Sequence, residues 1–386
     1  MRGHIAHQDD RYYVVIDQGI DPKTGKRRQA WHAAGKSKRI AERLLSELVE
    51  QKRTDTYVEP VRLSLAEYLL NEWLPLAEAD LRHSTYDSYR RNVELHVVPR
   101  IGSTALQKLR PVDLTKFYAE LLRNGRRNGQ GGLAPKTVRN IHQMIRKALE
   151  DAVQLNYVVR NAAASAKVPR PASGRRREMS YWTADELRRF LASNDDSAHW
   201  HAWYVAANTG MRRGEILGLR WRDVDLDRGR LAIRHTIISV AYKVRSSDAK
   251  TERSERVIDI DPRTVEVLRA HRVAQRDIER DVGVGYQNND LVFAKPDGRP
   301  QHPDIFSNAF ERRVARTDVP RIRLHDLRHT HATLLLQAGV PPKVVSERLG
   351  HASVAFTMQV YAHVIPGMQA DAAAAFGNLV FGNDNA

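Results

Sequence analysis

The side chains best suited to chemistry lie between residues 325 and 361. His325 and Arg328 stand three apart, so on a helix both project from one face. His351 follows Leu349-Gly350, and Tyr361 comes ten residues later. Imidazoles move protons near neutral pH, and a guanidinium grips an anion through paired donors. A phenol attacks only when activated, because its ordinary pKa is about 10.

The elements that must position these groups are short helices. Leu327, Leu334, Leu335 and Leu336 can seat the helix that carries His325 and Arg328. Gly339 stops it, with Pro341 and Pro342 beyond. Residues 343–349 read as a second helix, with Val344, Val345 and Leu349 apolar and Gly350 closing it. A zinc cluster of His325, His329 and His331 lacks both Cys and a helical His-Glu-x-x-His, so no metal is expected.

Composition bounds the partner. The 386 residues allow about two to three domains. Lys+Arg number 62 against 46 Asp+Glu, a net charge of +16, which points to a polyanion and most simply to nucleic acid. An ordinary high-pI protein would share that charge. With no Cys there is no disulfide framework, Cys-based zinc site or thiol nucleophile, which fits a reducing, cytoplasmic setting. No apolar run of about 18 residues is present, so no membrane span is expected, and the N-terminus lacks a signal-peptide apolar region.

Taken together, His325-x-x-Arg328, Leu349-Gly350-His351 and Tyr361 resemble the tyrosine recombinase (phage integrase) family, whose signature has this order and spacing. Two upstream segments add to the resemblance. Thr209-Gly-Met-Arg212-Arg-Gly-Glu215-Ile-Leu-Gly-Leu219-Arg-Trp221 is similar to the family's first-arginine motif. Lys250-Thr251-Glu-Arg-Ser254-Glu-Arg256 is similar to its Lys-Thr-x-x-Ser-x-Arg hairpin. The resemblance implies six catalytic residues: Arg212, Lys250, His325, Arg328, His351 and Tyr361. Lys243 is the runner-up for the lysine. Glu215 is expected in support, orienting His325.

The family implies a multidomain chain, and the residues read compatibly. Residues 1–60 suggest a small α+β domain, a three-stranded sheet plus a helix begun by Ser37 and bearing Ile40, Leu44, Leu45 and Leu48. It resembles an arm-type DNA-binding domain, with Lys26, Arg27 and Arg28 as contacts; a solvated hairpin with Trp31 in the core is the alternative. Residues 62–168 read as an all-α bundle with helices opened by Ser64 and Ser84, a third at 112–123 and a fourth begun by Pro135. This resembles the SAM-like core-binding domain, with Arg90, Lys136 and Arg139 near phosphates. Residues 169–180 form a Pro-rich basic linker carrying Arg175 and Arg176. Residues 181–386 would be a mainly α catalytic domain with a small β-sheet, including a strand at Arg230–Ser239 and a helix at 262–280 that carries Val265, Leu268, Val273 and Ile278.

By that resemblance the chain cuts and rejoins DNA through a 3′-phosphotyrosyl link, needs no cofactor, and integrates or excises a phage or other mobile element. Its partners would be double-stranded attachment sites, further copies of itself as a tetramer on DNA, and host bending and directionality factors. The apolar tail around Phe376, Leu379, Val380 and Phe381 would dock on a neighbouring copy or fold back. A type IB topoisomerase and a catalytically silent DNA-binding regulator are the other readings.

Overall fold

The computed structural model describes residues 3–20, 25–54, 57–169, 179–248, 255–351, 353–361 and 368–381. The chain divides into two compact units, Met1–Gly174 and Arg175–Ala386.

The first unit begins with strands β1 (Gly3–Gln8), β2 (Arg11–Ile20) and β3 (Arg27–Gly35), paired antiparallel in the order β1-β2-β3. Val14 stands opposite Ile5 on one side and His32 on the other. Asp9 and Asp10 both have positive φ, the geometry that a two-residue hairpin requires. Helix Lys38–Arg53 buries Ala41 and Leu48 against Val14, Ile16 and Ala34. Ile40, expected on that face, is 56% exposed, because the helix turns Ala41 inward in its place. Trp31 is 51% exposed and meets Tyr13 edge-on, so it is not a core residue.

The helical bundle of the first unit starts at a capping box. Ser64 Oγ accepts from Glu67 N–H, and the Glu67 carboxylate accepts from Ser64 N–H at 2.8 Å. The helix then widens into a π turn at Tyr68–Trp73, and the helix after it widens likewise at Val93–Val97. Each wide turn precedes a proline, Pro75 or Pro99, whose missing N–H and bulky ring disturb the α-helical ladder. That second helix is His83–Asn92, capped by Arg82, so Ser84 sits inside its first turn and is not the cap. Helices Pro111–Asn124 and Pro135–Gln154 complete a core built on Tyr68, Trp73, Phe117, Tyr118, Ile141 and Ile145.

The second unit packs Trp182, Phe190, Trp203, Phe306 and Phe310 into one aromatic centre. Strands β4 (Val224–Asp225), β5 (Arg230–Ile233) and β8 (Arg256–Asp259) form one small sheet, while β6 (His235–Val240) and β7 (Lys243–Asp248) form a separate hairpin. The single strand expected over Arg230–Ser239 is therefore two. Ile233 pairs with Arg256, where β8 begins, and beyond that point the chain takes β7 as its partner. Helix Pro262–Val282 buries Leu268 but leaves Val273 and Ile278 facing out. Helices Pro303–Val314, Asp326–Gln337, Pro342–Leu349, Val354–Tyr361 and Met368–Phe381 follow. Ala332, Leu336, Val345, Leu349 and Tyr361 make a second, smaller core. On the last helix Phe376, Leu379 and Val380 are exposed.

Candidate active site

Arg212 caps the helix Arg213–Gly218, and its side chain folds back over the first turn. Its Nη1 donates to Glu215 Oε1 at 2.7 Å and its Nη2 to the Gly350 carbonyl at 2.9 Å. Glu215 was expected to orient His325. Its carboxylate instead accepts from Arg212 and from Arg256, the latter at 2.8 Å through Nη2. The helical spacing shows Arg212 as a neighbour, but Arg256 comes from β8 and cannot be seen from local spacing. Burial alone would raise the Glu215 pKa, yet hydrogen bonds and charge from Arg256, with help from Arg212, bring it below the usual carboxylate range.

Arg328 projects from the first turn of helix Asp326–Gln337 and is buried, with Nη1 donating to the Gly210 carbonyl at 2.8 Å. Burial, reinforced by Arg212, pulls its pKa down to about 9. It remains charged at neutral pH, but in surroundings short of negative charge. Asp326, the buried acid beside it in sequence, is taken by Arg323, whose Nη2 donates to Oδ1 at 2.9 Å.

His351 follows the left-handed turn at Gly350, and its Nδ1 lies 2.8 Å from Thr357 Oγ1. Its ring is nearly parallel to that of Tyr361, 6.5 Å between centroids. Burial and the charges of Arg328 and Arg212 lower its pKa to about 3, so the ring is neutral. His325 stands at the helix start, where partial burial of its ring, then the charge of Arg328, lowers its pKa. Its ring meets His329 edge-on at 5.2 Å.

Tyr361 closes helix Val354–Tyr361 and is buried. Burial raises its pKa to about 12, against the pull of Arg328. Its hydroxyl lies 2.8 Å from His329 Nδ1.

The fold thus gathers Arg212, Glu215, His325, Arg328, His351 and Tyr361 around one spot. Lys250, Arg175 and Arg176 lie outside the described residues. Lys243, the runner-up, is exposed on β7 opposite Val240. The proposed DNA contacts in the first unit stand apart from this cluster in sequence and are surface residues. Lys26 and Lys136 are exposed and Arg139 is half-buried. Arg27 pairs with Asp17, Arg28 with Glu59, and Arg90 with Asp87 and Glu94. Exposed pairs of this kind are worth little and can yield to phosphate.

The sequence assigns no role at the site to three residues that the fold brings there: Arg256, which it offers only as the end of the Lys250 motif, Arg348 and His329. Arg256 Nε donates to the Arg348 carbonyl at 2.8 Å, and Arg348 reaches the carbonyls of Asn208 and Asp259. In the sequence His329 stands out only as a possible metal ligand with His325 and His331. His331 is committed elsewhere, its Nδ1 lying 2.9 Å from the Ala207 carbonyl.

Residues 181–367 match the model of the phage integrase family, and residues 66–122 match that of its N-terminal SAM-like domain. The ICEBs1 integrase of Bacillus subtilis is 27% identical over 97% of this chain and 98% of its own length. The integrase of Mycobacterium phage L5 is 26% identical over 77% of this chain and 74% of its own. Among solved structures, the Tn1549 transposon integrase in complex with circular intermediate DNA superposes with a TM-score of 0.64 at 18% identity, covering 82% of this chain and 99% of that one. A lambda integrase tetramer bound to a Holliday junction gives a TM-score of 0.55 at 18% identity, over 92% of this chain and 94% of that one.

Proposed function

The chain belongs to the phage integrase family, and on that premise we propose that this site-specific DNA recombinase works through Tyr361 as its nucleophile. One observation carries the reading. Three guanidinium groups, Arg212, Arg256 and Arg328, are near enough to influence one another, and among the described residues the carboxylate that pairs with Arg212 and Arg256 is Glu215. The excess positive charge is what a scissile phosphate would balance.

In the proposed cycle the Tyr361 oxygen forms a bond to phosphorus while the bond from phosphorus to the 5′ oxygen breaks. A 3′-phosphotyrosyl link and a free 5′ hydroxyl result. Arg212 and Arg328 hold the non-bridging oxygens and stabilise the charge that builds there. Arg suits this task because it stays ionised and offers paired donors. His351 and His325 donate to phosphate oxygens or pass protons. Lys250, assigned from its motif, protonates the departing 5′ oxygen. The phosphotyrosyl bond keeps the energy of the diester, so the 5′ hydroxyl can reverse the step without ATP.

We assign residues 1–60 to arm-type DNA binding and 62–168 to core-site binding, with 169–180 as linker and 181–386 as catalytic domain. Lys26, Arg27, Arg28, Arg90, Lys136, Arg139, Arg175 and Arg176 would position phosphates, which absorb most protein–DNA hydrogen bonds. DNA is the partner, and the relatives named above are integrases of mobile elements, as we propose for this chain. Four copies would act together on paired attachment sites, with host bending and directionality factors. No described helix is long and apolar enough to cross a membrane; the host cytoplasm is the proposed place of action.

The test is a nicked duplex carrying the element's own core site, whose cut strand diffuses away and traps the intermediate. Wild type should form a covalent adduct and Tyr361→Phe none. DNA retention without an adduct would turn the reading toward a regulator.

A further inference from the structure

We infer that His329 takes the phenolic proton when Tyr361 attacks phosphorus. The inference rests on the proposed role of Tyr361 and deepens it.

Two geometric observations carry it. First, His329 Nδ1 lies 2.8 Å from the Tyr361 hydroxyl, and among the described residues it is the hydrogen-bond partner of that hydroxyl. His325 and His351, the residues to which the family motif draws attention, are placed otherwise: His351 Nδ1 faces Thr357 Oγ1, and His325 touches the ring of His329. Second, His329 lines a cavity of about 440 Å³ together with Ser180, Glu311, Arg323 and Asp326. His329 thus borders both the buried phenol and a cavity with polar groups on its wall.

Burial, with His325, Arg328 and Arg323, outweighs the opposing charge of Asp326 and keeps the His329 ring neutral before attack. His325, Asp326 and Arg328 lie on its own helix, with Arg323 just before it. Tyr361 and His351 approach from the helix Val354–Tyr361 and its lead-in, and Glu311 faces the same cavity. Burial and the neighbouring His325 bring the ring to about 4, so it is neutral at neutral pH, and in the tautomer with the hydrogen on Nε2 its Nδ1 accepts from the phenol. The phenol, at about 12, is much the weaker acid in the resting site. That gap closes during attack, since an aryl oxygen bonding to phosphorus becomes steadily more acidic.

The step balances. The Tyr361 oxygen bonds to phosphorus, its proton moves to His329 Nδ1, and the bond to the 5′ oxygen breaks. That oxygen takes a proton from a different donor, the role proposed for Lys250. Religation reverses both transfers.

His329→Asn tests this, because an amide oxygen accepts the phenol's hydrogen bond but does not hold its proton. On the nicked duplex carrying the core site, adduct formation by H329N should fall about 10²–10³-fold with DNA binding and Tm unchanged. Its rate should climb about tenfold per pH unit between about pH 7 and 9, as the phenol ionises to solvent base, while wild type stays flat. A 5′-bridging sulfur, which leaves without protonation, should not restore it. Wild-type speed in H329N would overturn the inference, and so would rescue by sulfur, which would make His329 the leaving-group donor. If H329N fails to fold, the wild-type profile still decides: a tenfold rise per pH unit there means that no residue takes the proton. An adduct in Tyr361→Phe would instead sink the underlying assignment of the nucleophile.

Discussion

Arg256 Nη2 donates to Glu215 Oε2 at 2.8 Å, and both side chains are more than nine-tenths closed to solvent. The same carboxylate holds Arg212, so one buried acid aligns a guanidinium of the site and anchors β8 to it. Glu215→Ala leaves two guanidinium groups without their acid. Breaking a buried pair typically costs about 3–5 kcal/mol. We expect a marked fall in Tm and loss of adduct formation. An unchanged melting curve would show that the pair contributes nothing net.

Arg328→Ala removes a buried donor aimed at the site but touches none of the proposed DNA-positioning surface. Adduct formation should fall at least about 10²–10³-fold, as for loss of one preorganised donor. Gel-shift affinity for the core site should stay within a few-fold, and Arg212→Ala should behave alike. Near-normal cleavage in either variant would remove that arginine from the phosphate.

Gly210→Ala tests a left-handed backbone position at φ +66. A Cβ there would stand 2.6 Å from Leu349 Cδ2 and 2.8 Å from His331 Cδ2. The conformation alone costs a non-glycine residue about 1–2 kcal/mol, and the crowding adds to it. Thermal unfolding should come several degrees lower, accompanied by slower cleavage. A wild-type Tm would mean that the segment relaxes without cost.

Acid should weaken the catalytic unit through His331. Its Nδ1 faces the Ala207 carbonyl and its Nε2 accepts from Arg348 Nε at 3.0 Å, so the neutral tautomer is fixed. Burial, then Arg348, lowers its pKa to about 3 against an ordinary 6.5. Above pH 6.5 neither folded nor unfolded chain is protonated there, and nothing is lost. As pH falls below that value, the unfolded chain takes the proton and the folded chain does not. Stability then drops by up to about 1.4 kcal/mol per pH unit for this one group. Denaturant melts between about pH 7 and 5 should show the slope, reduced in His331→Gln; equal slopes would refute the assignment.

The residues that a motif names were readable because a motif is local. Arg212, His325, Arg328, His351 and Tyr361 each sit in a run with its own landmarks, and the fold brings them together. Partners contributed from distant elements were not readable. Glu215 was matched with His325, yet its second cation comes from β8, 41 positions along the chain. His329 lay in plain view within His325-Asp-Leu-Arg-His329-Thr-His331, but only the docking of Val354–Tyr361 shows which imidazole meets the phenol. Strand Arg230–Ser239 looked continuous because side-chain alternation does not record a change of partner. Ile40 looked buried because it is apolar, whereas the helix phase favours Ala41.

The anchors of the two motif arginines have a further consequence. Arg212 is tied to the carbonyl of Gly350, next to His351, while Arg328 is tied to that of Gly210, two residues before Arg212. The lashings cross, each segment steadying the guanidinium that belongs to the other. A polypeptide that presents only one of the two segments therefore lacks the carbonyl that holds the other's guanidinium, so the two arginines reach their full set of partners together.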